Sequence, residues 1–509
     1  MAPSNSFEGV LEDECKDEDM KPLLLDEVKN AVRAEIKTPL GKGLIKRVCT
    51  DSRQIEPDDL FVALRGERFD GHNFIDAALA AGARAVMIDR NIPLPDKAQA
   101  NNVCVLKVQD TLEALGLLAR FYRRSLRHSV QIIAVTGSNG KTTTREMIYH
   151  TLSKFKKGYR SPHNYNNQIG VPLTLLGIDS DHDFAVVEIG ANAPGEVARL
   201  SRICEPNIAV ITHVGPTHLE GFKNLEGVSA EKVSIVVGLQ EHGVVVCGVD
   251  HPPTLERLQT LGRHVITFGL DPHADVSGGN IRREPGRVRF ETNDRSEVLL
   301  PIAGVHNVKN ALAALAVVRR LGLTSAQFAQ ALRDFQGAPR RLAFHQVNGI
   351  TIIDDCYNAS PSSMSAALAE LNGLTDSPRR IFVVGDMYEL GESSEQYHRQ
   401  LGQDIAKSKV DLLLTVGAQA AWTAQAALEA GMGLSRVQRA ISSKRLARLI
   451  KSMIRDQDTI LVKGSRAMKM ELVVEALQRY RGGRPVISAP AQAVPKKPNK
   501  KKTPQTVTW

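Results

Sequence analysis

Residues 137–142 form a short glycine-rich segment, Gly137-Ser138-Asn139-Gly140-Lys141-Thr142, followed by Thr143 and Thr144. An apolar run (QIIAVT) precedes it and a helical pattern (TTTREMIYHTL) follows. Glycines at such a junction let backbone N–H groups approach phosphate oxygens, and the helix N-terminus favours anions. The usual loop, G-x-x-x-x-G-K-[ST], would have its first glycine where this chain has Val135. We predict a shortened phosphate loop in which Lys141 contacts the β and γ phosphates and Thr142 joins Mg²⁺.

Candidate metal ligands follow the next two apolar runs. Glu188 ends the run FAVVE, where a buried carboxylate is costly unless it meets a cation. His213 and His218 lie in the polar loop after NIAVIT. Either histidine could be a metal ligand, and a structural role is open for both. A phosphate loop with these neighbours is compatible with a kinase, an ATPase, a GTPase or a ligase.

The elements that must position these residues fall into three blocks. In residues 45–130, the stretch 59–89 predicts a strand, a polar loop, an amphipathic helix and a second strand. Residues 131–340 alternate helical patterns with the apolar runs FAVVEIG, NIAVITHVG, HGVVVCGVD and HVITFG. Residues 341–480 repeat the alternation with GITIIDD, RRIFVVGD, VDLLLTVG and DTILVKGS. This pattern predicts parallel α/β sheets, doubly wound in the last block, with functional loops at the carboxyl ends of strands.

The two ends of the chain carry opposite charges. Residues 1–44 begin as an acidic extension and lead into the first domain, whereas residues 481–509 hold two Arg, five Lys and no acidic residue. That tail contributes +7 of the net charge of +9, so the other 480 residues carry +2. We interpret the tail as a disordered, solvated extension, and weak binding to nucleic acid or an anionic membrane is the alternative.

Composition narrows the class of protein and its compartment. The six cysteines are scattered singly, which favours a reducing cytoplasm over a disulfide framework or a cysteine metal site. We find neither a secretory signal nor an apolar run of the ~18 residues that span a bilayer. Aromatic residues make up 5% of the chain, which argues against an aromatic platform for nucleic acid. We expect no specific nucleic-acid partner and no transmembrane segment.

Several longer segments, in order along residues 45–475, resemble the Mur ligase family of peptidoglycan synthesis. They are DSRQIEPDDLFVALRGERFDGHNF (51–74), GSNGKTTT (137–144), SPHNYNNQIGVPLTLL (161–176), VVEIGANAPGEVARL (186–200), THVGPTHLEGF (212–222), GVHNVKNALAALAVV (304–318), IIDDCYNASPSSMSAAL (352–368), VVGDMYELGESSEQYH (383–398) and LVKGSRAMKME (461–471). The DDCYNASPSSM and GDMYELGE strings resemble the branch that adds D-alanyl-D-alanine to UDP-N-acetylmuramoyl-tripeptide.

The resemblance implies a three-domain α/β enzyme that forms an amide bond at the expense of ATP. The tripeptide carboxylate would attack the γ-phosphate, and the amine of D-alanyl-D-alanine would attack the resulting acyl phosphate. It also implies Mg²⁺ at two sites, a monomer and the bacterial cytoplasm. The alternatives are a family member with another amino-acid acceptor, a folylpolyglutamate synthetase and a non-catalytic ATP-binding scaffold. The first would carry a D-N-P-R string if it added a diamino acid, the second would lack residues 51–74, and a scaffold would be expected to lose Lys141, Glu188 or His218.

The resemblance also assigns roles to residues of the ATP and metal sites. Thr142 and Glu188 would hold one Mg²⁺, and His218 with a carbamylated Lys232 would hold a second, which leaves His213 a structural or supporting role. Lys141, Glu188, His218 and Lys232 are thus the implied catalytic residues. The implied ATP contacts are Gly137, Ser138, Asn139, Gly140, Lys141, Thr142, Thr143, Asn307, Asn310, Arg341 and Asp355.

The other two substrates are assigned in the same way. The implied contacts of the UDP-sugar substrate are Ser52, Arg53, Asp70, Gly71, His72, Asn164, Asn166 and Asn167. Those of D-alanyl-D-alanine are Tyr357, Asn358 and Ser360. Lys463, Ser465 and Arg466 could bind a carboxylate, or they could form only a turn at a strand end.

Overall fold

The structure is a computed structural model and describes residues 20–38, 43–66, 69–91, 103–126, 129–375 and 377–481. Three large sheets and one two-stranded sheet organise these residues. Most of the acidic extension and nearly all of the basic tail lie outside the described residues, and so does our interpretation of that tail. Within the described ranges, no helix is both long and apolar enough to cross a bilayer.

The N-terminal part of the chain forms a five-stranded sheet. Its strands and helices are β1 (Leu23–Leu24), β2 (Glu35–Ile36), β3 (Leu44–Ile45), β4 (Arg47–Cys49), β5 (Asp59–Val62), β6 (Ala85–Ile88), β7 (Cys104–Lys107), α1 (Leu25–Val32), α2 (Ile75–Ala80) and α3 (Thr111–Ser125). The sheet order is β2-β7-β6-β5-β4, and β1 pairs with β3. The strand–loop–helix–strand unit predicted for residues 59–89 is therefore present as β5, α2 and β6.

The central part forms a nine-stranded sheet of order β16-β15-β14-β13-β12-β11-β8-β10-β9. Its strands are β8 (Gln131–Thr136), β9 (Gly158–Arg160), β10 (Phe184–Glu188), β11 (Ile208–Ile211), β12 (Val244–Gly248), β13 (Val265–Gly269), β14 (Val276–Glu284), β15 (Arg287–Thr292) and β16 (Glu297–Leu300). Its helices are α4 (Lys141–Leu152), α5 (Gly170–Leu176), α6 (Glu196–Cys204), α7 (Leu219–Phe222), α8 (Leu225–Val233), α9 (Pro252–Thr260), α10 (Val305–Arg320) and α11 (Ser325–Ala331). The strand order reverses at β8, which pairs in parallel with β10 and β11. A crevice at such a switch point is the usual ligand site of an α/β sheet.

The C-terminal part forms a six-stranded sheet of order β17-β18-β22-β19-β20-β21. Its strands are β17 (Ala343–Val347), β18 (Ile350–Asp354), β19 (Arg379–Gly385), β20 (Leu412–Val416), β21 (Val437–Ala440) and β22 (Asp458–Lys463). Its helices are α12 (Pro361–Gly373), α13 (Ser394–Ala406), α14 (Ala420–Glu429), α15 (Ser443–Leu449) and α16 (Glu471–Gln478). β17 and β18 are antiparallel and the other neighbours are parallel, as a doubly wound fold with an added edge strand requires.

The predicted three-domain α/β architecture is confirmed, with additional strands. Every apolar run that predicted a strand in residues 131–480 contains one, but the short strands β9, β17 and β21 and the antiparallel run β14, β15 and β16 were not predicted. β14 reads VSGGNIRRE, and glycines with charged residues obscure the alternation of a strand at the outer part of a sheet.

Helix α3 connects the first two sheets. It lies before residue 130, yet Tyr122 Oη donates to the carbonyl of Ile178 (2.6 Å) and Arg123 Nε donates to that of Cys204 (3.1 Å). The backbone N–H of Lys21 donates to the same Tyr122 Oη (2.8 Å). The helix therefore packs on both parts, and the domain boundary at residue 130 stays a prediction.

Candidate active site

The phosphate loop joins β8 to α4, and two of its glycines are required by shape. Gly137 has a φ of +147° and Gly140 a φ of +84°, conformations that L side chains rarely adopt. A Cβ at Gly137 would collide with Thr212 Oγ1, and a Cβ at Gly140 would collide with the Asn310 amide. These two positions explain why glycine is needed here although the first glycine of the usual motif is missing.

The segment after β11 holds the loop in place. The Ser138 N–H donates to the carbonyl of His213 (2.7 Å), and Ser138 Oγ donates to that of Gly215 (2.8 Å). Thr212 Oγ1 donates to the carbonyl of Asn139 (2.6 Å). Burial lowers the pKa of the His213 ring, and Asp250 opposes that shift. These contacts fit the supporting role expected for His213.

Lys141 and Thr142 begin helix α4 at the mouth of a cavity. Lys141 Nζ donates to the carbonyls of Gly137 (2.8 Å) and Ser138 (3.4 Å), which curls the side chain over the loop. Burial lowers the pKa of Lys141, with Glu188 opposing the shift and Arg341 adding to it. A partly desolvated cation of this kind gains most when an anionic phosphate arrives.

Glu188 is buried at the carboxyl end of β10, and several donors surround its carboxylate. Thr142 Oγ1 donates to Oε2 (2.9 Å), Asn166 Nδ2 donates to Oε1 (3.0 Å), and Arg145 Nη1 lies 3.2 Å from Oε2. Burial alone would raise the pKa of Glu188, but Arg145, Lys141 and Arg341 outweigh it and the net pKa is lowered. The carboxylate is therefore held ionised next to the phosphate loop.

The Thr142 hydroxyl and the Glu188 carboxylate fit a magnesium site. Both are oxygen donors at the same point of the cavity, and Mg²⁺ is usually held by one or two carboxylates together with substrate phosphates. Among the residues that the structure describes, no three His, Cys, Asp or Glu side chains cluster as an all-protein metal cage. The arrangement thus suits an ion that arrives with a nucleotide.

His218 lines the same cavity as Thr142 and Glu188, whereas Lys232 on helix α8 is not part of that lining. His218 caps α7 with a φ of +49°, and its Nδ1 lies against the Glu389 carboxylate. Lys232 on α8 is 1% exposed, and its Nζ is 5.4 Å from the centre of the Phe222 ring. Burial lowers the pKa of Lys232 to about 7, with Lys141 adding to the shift and Glu231 and Glu196 opposing it. Lys232 is therefore a buried lysine and not one of the solvent-exposed lysines of a helix surface.

The asparagines predicted for the nucleotide lie at the start of α10. Asn307 and Asn310 are buried, Asn310 Nδ2 donates to Asn307 Oδ1 (3.0 Å), and Asn307 Nδ2 donates to the carbonyl of Ala303 (2.6 Å). Both side chains therefore support the start of the helix, and their contact with a nucleotide stays a prediction.

The C-terminal domain reaches the phosphate loop through Arg341 and Ser360. Arg341 Nη2 donates to Thr142 Oγ1 (3.0 Å), and its guanidinium carbon lies 4.1 Å from the centre of the Tyr357 ring. Ser360 Oγ donates to Asn139 Oδ1 (3.2 Å). Residues predicted to contact ATP and residues predicted to contact D-alanyl-D-alanine thus meet at one interface.

One cavity of about 440 Å³ collects most of the predicted residues. Those that line it are Ser138, Asn139, Gly140, Lys141, Thr142, Thr143, Asn166, Asn167, Glu188, His213, His218, Asn307, Asn310, Arg341, Asp355, Tyr357, Asn358, Ser360 and Lys463. Lys463 Nζ is already paired with Asp355 Oδ2 (2.6 Å). Ser465 and Arg466 are not part of this lining, and Arg466 Nη1 lies 3.3 Å from Glu471 Oε1.

A second cavity, of about 280 Å³, opens between β4 and α5. It is lined by Arg47, Val48, Cys49, Thr50, Asp51, Gln54, Tyr159, Pro162, Tyr165, Leu173, Leu176 and Gly177. Ser52 and Arg53 lie in the turn between the lining residues Asp51 and Gln54, and Arg53 Nη2 pairs with Asp51 Oδ2 (2.6 Å). The DSR segment (51–53) therefore lies beside the smaller cavity, and Asp51 rather than Arg53 lines it.

Asp70, Gly71 and His72 serve the fold of the N-terminal domain. His72 Nδ1 lies 2.7 Å from Asp70 Oδ1, and its Nε2 accepts from the N–H of Asp89 (3.3 Å). A Cβ at Gly71 would lie 2.8 Å from the backbone nitrogen of Leu64. None of the three residues lines either cavity described above, and their role with a UDP-sugar stays a prediction.

Sequence reasoning missed several residues that line the first cavity, and it also missed Arg145, which is not part of that lining. Arg145 pairs with Glu188, Ser362 Oγ accepts from Asn139 Nδ2 (2.8 Å), and Lys309 pairs with Asp250 (2.9 Å) at the wall. His306 also lines it, and burial lowers the pKa of His306 to about 4. Arg145 carried a signal, because it lies one helical turn after Lys141 on the same face. The others depend on contacts between distant segments.

Comparison with known proteins identifies the family. Residues 44–123, 135–318 and 340–466 match the models described as Mur ligase family, catalytic domain; Mur ligase middle domain; and Mur ligase, glutamate ligase domain. A protein of Escherichia coli (strain K12), named UDP-N-acetylmuramoyl-tripeptide--D-alanyl-D-alanine ligase, is 38% identical over 445 residues, which cover 85% of this chain and 93% of that protein. The chain belongs to the Mur ligase family.

Solved structures agree with the fold of this Mur ligase. A crystal structure of MurF from Acinetobacter baumannii has a TM-score of 0.82 and 34% identity, covering 90% of this chain and 99% of that one. MurF ligase from Thermotoga maritima, solved in complex with ADP, has a TM-score of 0.76 and 29% identity over 86% of this chain and 98% of that one. The predicted family and the prediction of an ATP-dependent ligase are confirmed.

Proposed function

We propose that this Mur ligase joins D-alanyl-D-alanine to UDP-N-acetylmuramoyl-tripeptide and cleaves ATP to ADP and phosphate, producing a UDP-linked pentapeptide. The single observation that carries the proposal is the cavity of about 440 Å³, because the phosphate loop and the segment Asp355–Ser360 line it together. An acyl phosphate formed at the loop would be met there by the amine of the second substrate. The names of the E. coli and A. baumannii relatives support the choice of substrates.

The segment 159–167 gives the UDP-linked substrate a path between the two cavities. Tyr159, Pro162 and Tyr165 line the smaller cavity, and Asn166 and Asn167 line the larger one. A nucleotide bound near Asp51 could therefore extend its peptide along this segment toward Glu188. Asn164 lies inside the same segment, where its carbonyl accepts from the Asn166 N–H (2.7 Å).

The reaction depends mainly on neutralisation of negative charge and on alignment of the reactants. The tripeptide carboxylate attacks the γ-phosphorus and ADP leaves, and the amine of D-alanyl-D-alanine then attacks the acyl carbon. The nitrogen loses a proton, and the tetrahedral intermediate collapses with loss of phosphate. The first step brings two anions together and the second develops an oxyanion, so both steps require positive charge nearby. Lys141 and Arg341 supply positive charge at the loop, and Asn166 and Arg145 hold the Glu188 carboxylate in place.

We assign Mg²⁺ to Thr142 with Glu188 and to His218 with Lys232. Bound Mg²⁺ polarises phosphoryl oxygens and neutralises their charge. Thr142 and Glu188 already offer oxygen ligands to Mg²⁺. Lys232 becomes an anionic oxygen ligand only when it is carbamylated. A carbamate forms from the neutral amine, and a pKa of about 7 keeps a large fraction of Lys232 neutral at physiological pH.

Substitution of Lys232 tests the second metal position. Lys232→Ala should lose most phosphate release, and short carboxylic acids should restore part of it by supplying the missing carboxylate. Lys223→Ala removes an exposed lysine nine residues before Lys232, and as the control it should retain wild-type rates. A wild-type rate for Lys232→Ala would remove Lys232 from the site.

A panel of phosphate-release assays tests the function as a whole. Release should require ATP, Mg²⁺, UDP-N-acetylmuramoyl-tripeptide and D-alanyl-D-alanine together. Release with single amino acids but not with D-alanyl-D-alanine would favour another acceptor and overturn the proposed substrate pair. We further propose that the enzyme acts as a monomer in the bacterial cytoplasm, which sedimentation and cell fractionation would test.

A further inference from the structure

The GDMYELGE segment (385–392), which resembles one branch of the Mur ligases, contains the Glu389 that lies against His218. It follows β19, and its residue Glu389 reaches across from the C-terminal domain to the central domain. The Glu389 carboxylate lies against Nδ1 of His218, and the Glu220 N–H donates to the Glu389 carbonyl (3.3 Å). Both the side chain and the backbone of Glu389 therefore contact the turn that carries His218.

The backbone on each side of this contact is held in an unusual conformation. Glu389 has a φ of +63° and His218 a φ of +49°, which cost energy for residues other than glycine. Gly391, two residues farther on, has a φ of +56° and packs against Glu220, whose Cα would lie 3.4 Å from a Cβ at that position. Two strained residues that meet at one contact indicate that the surrounding structure is built to bring them together.

The contact decides which nitrogen of His218 can bind a metal. Nδ1 is buried and has no hydrogen-bond partner of good geometry among the described residues, so the Glu389 carboxylate is the polar group it faces. A carboxylate at Nδ1 favours the tautomer protonated there and leaves the Nε2 lone pair available. Metal-binding histidines commonly donate their other ring N–H to a carboxylate in this way.

The residues just before Glu389 contact the turn KGSR (463–466), which follows β22. The Tyr388 N–H donates to Ser465 Oγ (2.9 Å), and the Ser465 N–H donates to the carbonyl of Asp386 (3.0 Å). Residues 386–389 are thus anchored within the C-terminal domain on one side while Glu389 extends toward His218 on the other. The position of the Glu389 carboxylate is therefore set by the C-terminal domain.

We propose that Glu389 is a positioning residue that sets the tautomer and orientation of His218 when the C-terminal domain is docked. The proposal rests on the proposed function in that His218 is taken as a metal ligand. It adds that the metal position is complete only when the two domains are in contact, because the group that orients the ligand belongs to the other domain.

The ring nitrogens of His218 in metal-free protein provide the first test. In ¹⁵N-edited imidazole spectra, with the His218 signals identified from a His218→Gln sample, the wild type should show the Nδ1-protonated form. Glu389→Ala should shift the ring toward the Nε2-protonated form, and Glu389→Gln, which keeps an oxygen acceptor, should preserve much of the wild-type spectrum. Glu392→Ala is the matched control, since Glu392 is an exposed carboxylate of the same segment.

The Mg²⁺ dependence of phosphate release provides the second test. Glu389→Ala should raise the Mg²⁺ concentration for half-maximal rate by about 10- to 100-fold, with Glu389→Gln between it and the wild type. An unchanged His218 spectrum in Glu389→Ala overturns the proposal, and so does an unchanged Mg²⁺ dependence. Failure of the proposed function has a different signature, since the spectrum would respond to Glu389→Ala while no substrate pair supported phosphate release.

Discussion

Glu188 illustrates how single residues define this site. A carboxylate that is 2% exposed would normally be protonated or absent, because burial disfavours its charge. Here Arg145, Lys141 and Arg341 reverse the effect of burial on its pKa. Of these three cations, Arg145 has the clearest structural role. It also donates to the carbonyl of His163 (3.0 Å) and so connects the Glu188 carboxylate to the segment that carries Asn166.

We expect Arg145→Met to lower both stability and phosphate release. Removing one partner of a buried ion pair costs about 3–5 kcal/mol in the free energy of unfolding, and Lys141 and Arg341 would offset only part of that loss at Glu188. Arg145→Lys should recover part of the loss because it keeps the positive charge. The recovery is incomplete because lysine lacks the planar guanidinium group that donates in two directions. Urea unfolding and initial rates would measure both effects.

Arg160→Met is the matched control for this substitution. Arg160 Nε lies 3.0 Å from Glu146 Oε2, and Arg145 pairs with the same glutamate. Arg160 is more exposed and does not pair with Glu188, so its loss should cost less than about 1 kcal/mol. Equal costs for the two variants would contradict the special role of Arg145.

At the scale of elements, helix α12 links the C-terminal domain to the phosphate loop. Pro361 occupies its first turn, and Ser360 caps it while also donating to Asn139. Farther along the same helix, Glu370 is 5% exposed, and burial raises its pKa against the opposing charge of Arg283 on β14. The helix therefore carries a buried acid at its contact with the central domain.

We expect Glu370→Gln to become more stable than the wild type as pH rises above the ordinary pKa of a glutamate carboxyl, because burial raises the pKa of Glu370. A carboxyl with a raised pKa keeps its proton in the folded state where the unfolded chain has lost it. The free energy of unfolding of the wild type therefore falls as pH rises through that window, and the glutamine variant lacks this fall. Unfolding curves between pH 4 and 8 would measure the difference.

Glu475→Gln, an exposed glutamate on α16, is the comparison for Glu370→Gln. Its free energy of unfolding should stay within about 0.5 kcal/mol of the wild type at every pH. A pH-independent difference between Glu370→Gln and the wild type would show that the carboxyl of Glu370 is not destabilised by burial.

At the scale of the whole molecule, the central and C-terminal domains meet through residues of the reaction site itself. Ser362 accepts from Asn139, Arg341 donates to Thr142, and Glu389 lies against His218. The contacts that join the two domains are therefore the contacts that shape the site, as suits an enzyme that must bring three reactants together.

We expect Ser362→Ala to shift the domains toward the undocked arrangement. The variant loses one hydrogen bond, worth about 1 kcal/mol, which corresponds to roughly a fivefold change in the ratio of docked to undocked molecules. Single-molecule FRET between the two domains would measure that ratio. Ser365→Ala on the same helix removes only a local bond to the Pro361 carbonyl and should leave the ratio unchanged. A wild-type ratio in Ser362→Ala would mean that this bond does not hold the domains.

The sequence by itself determined the features that depend on neighbours along the chain. The phosphate loop followed from GSNGKTTT between an apolar run and a helical pattern, and Glu188 followed from its place at a strand end. The order of motifs was enough to identify the family. These signals are local because glycine geometry, strand ends and helix starts are set within a few residues.

Only the tertiary structure decided which distant groups complete the site. Three pairs of residues that are far apart in sequence meet at the site. The local sequence around each residue does not predict its partner. The pairs are Arg145 with Glu188, His218 with Glu389, and Asn139 with Ser362. The tertiary structure also decided that Asp51 rather than Arg53 lines the smaller cavity and that β14, β15 and β16 extend the central sheet. The physical reason is that such contacts depend on how sheets and domains pack, which no short stretch of sequence specifies.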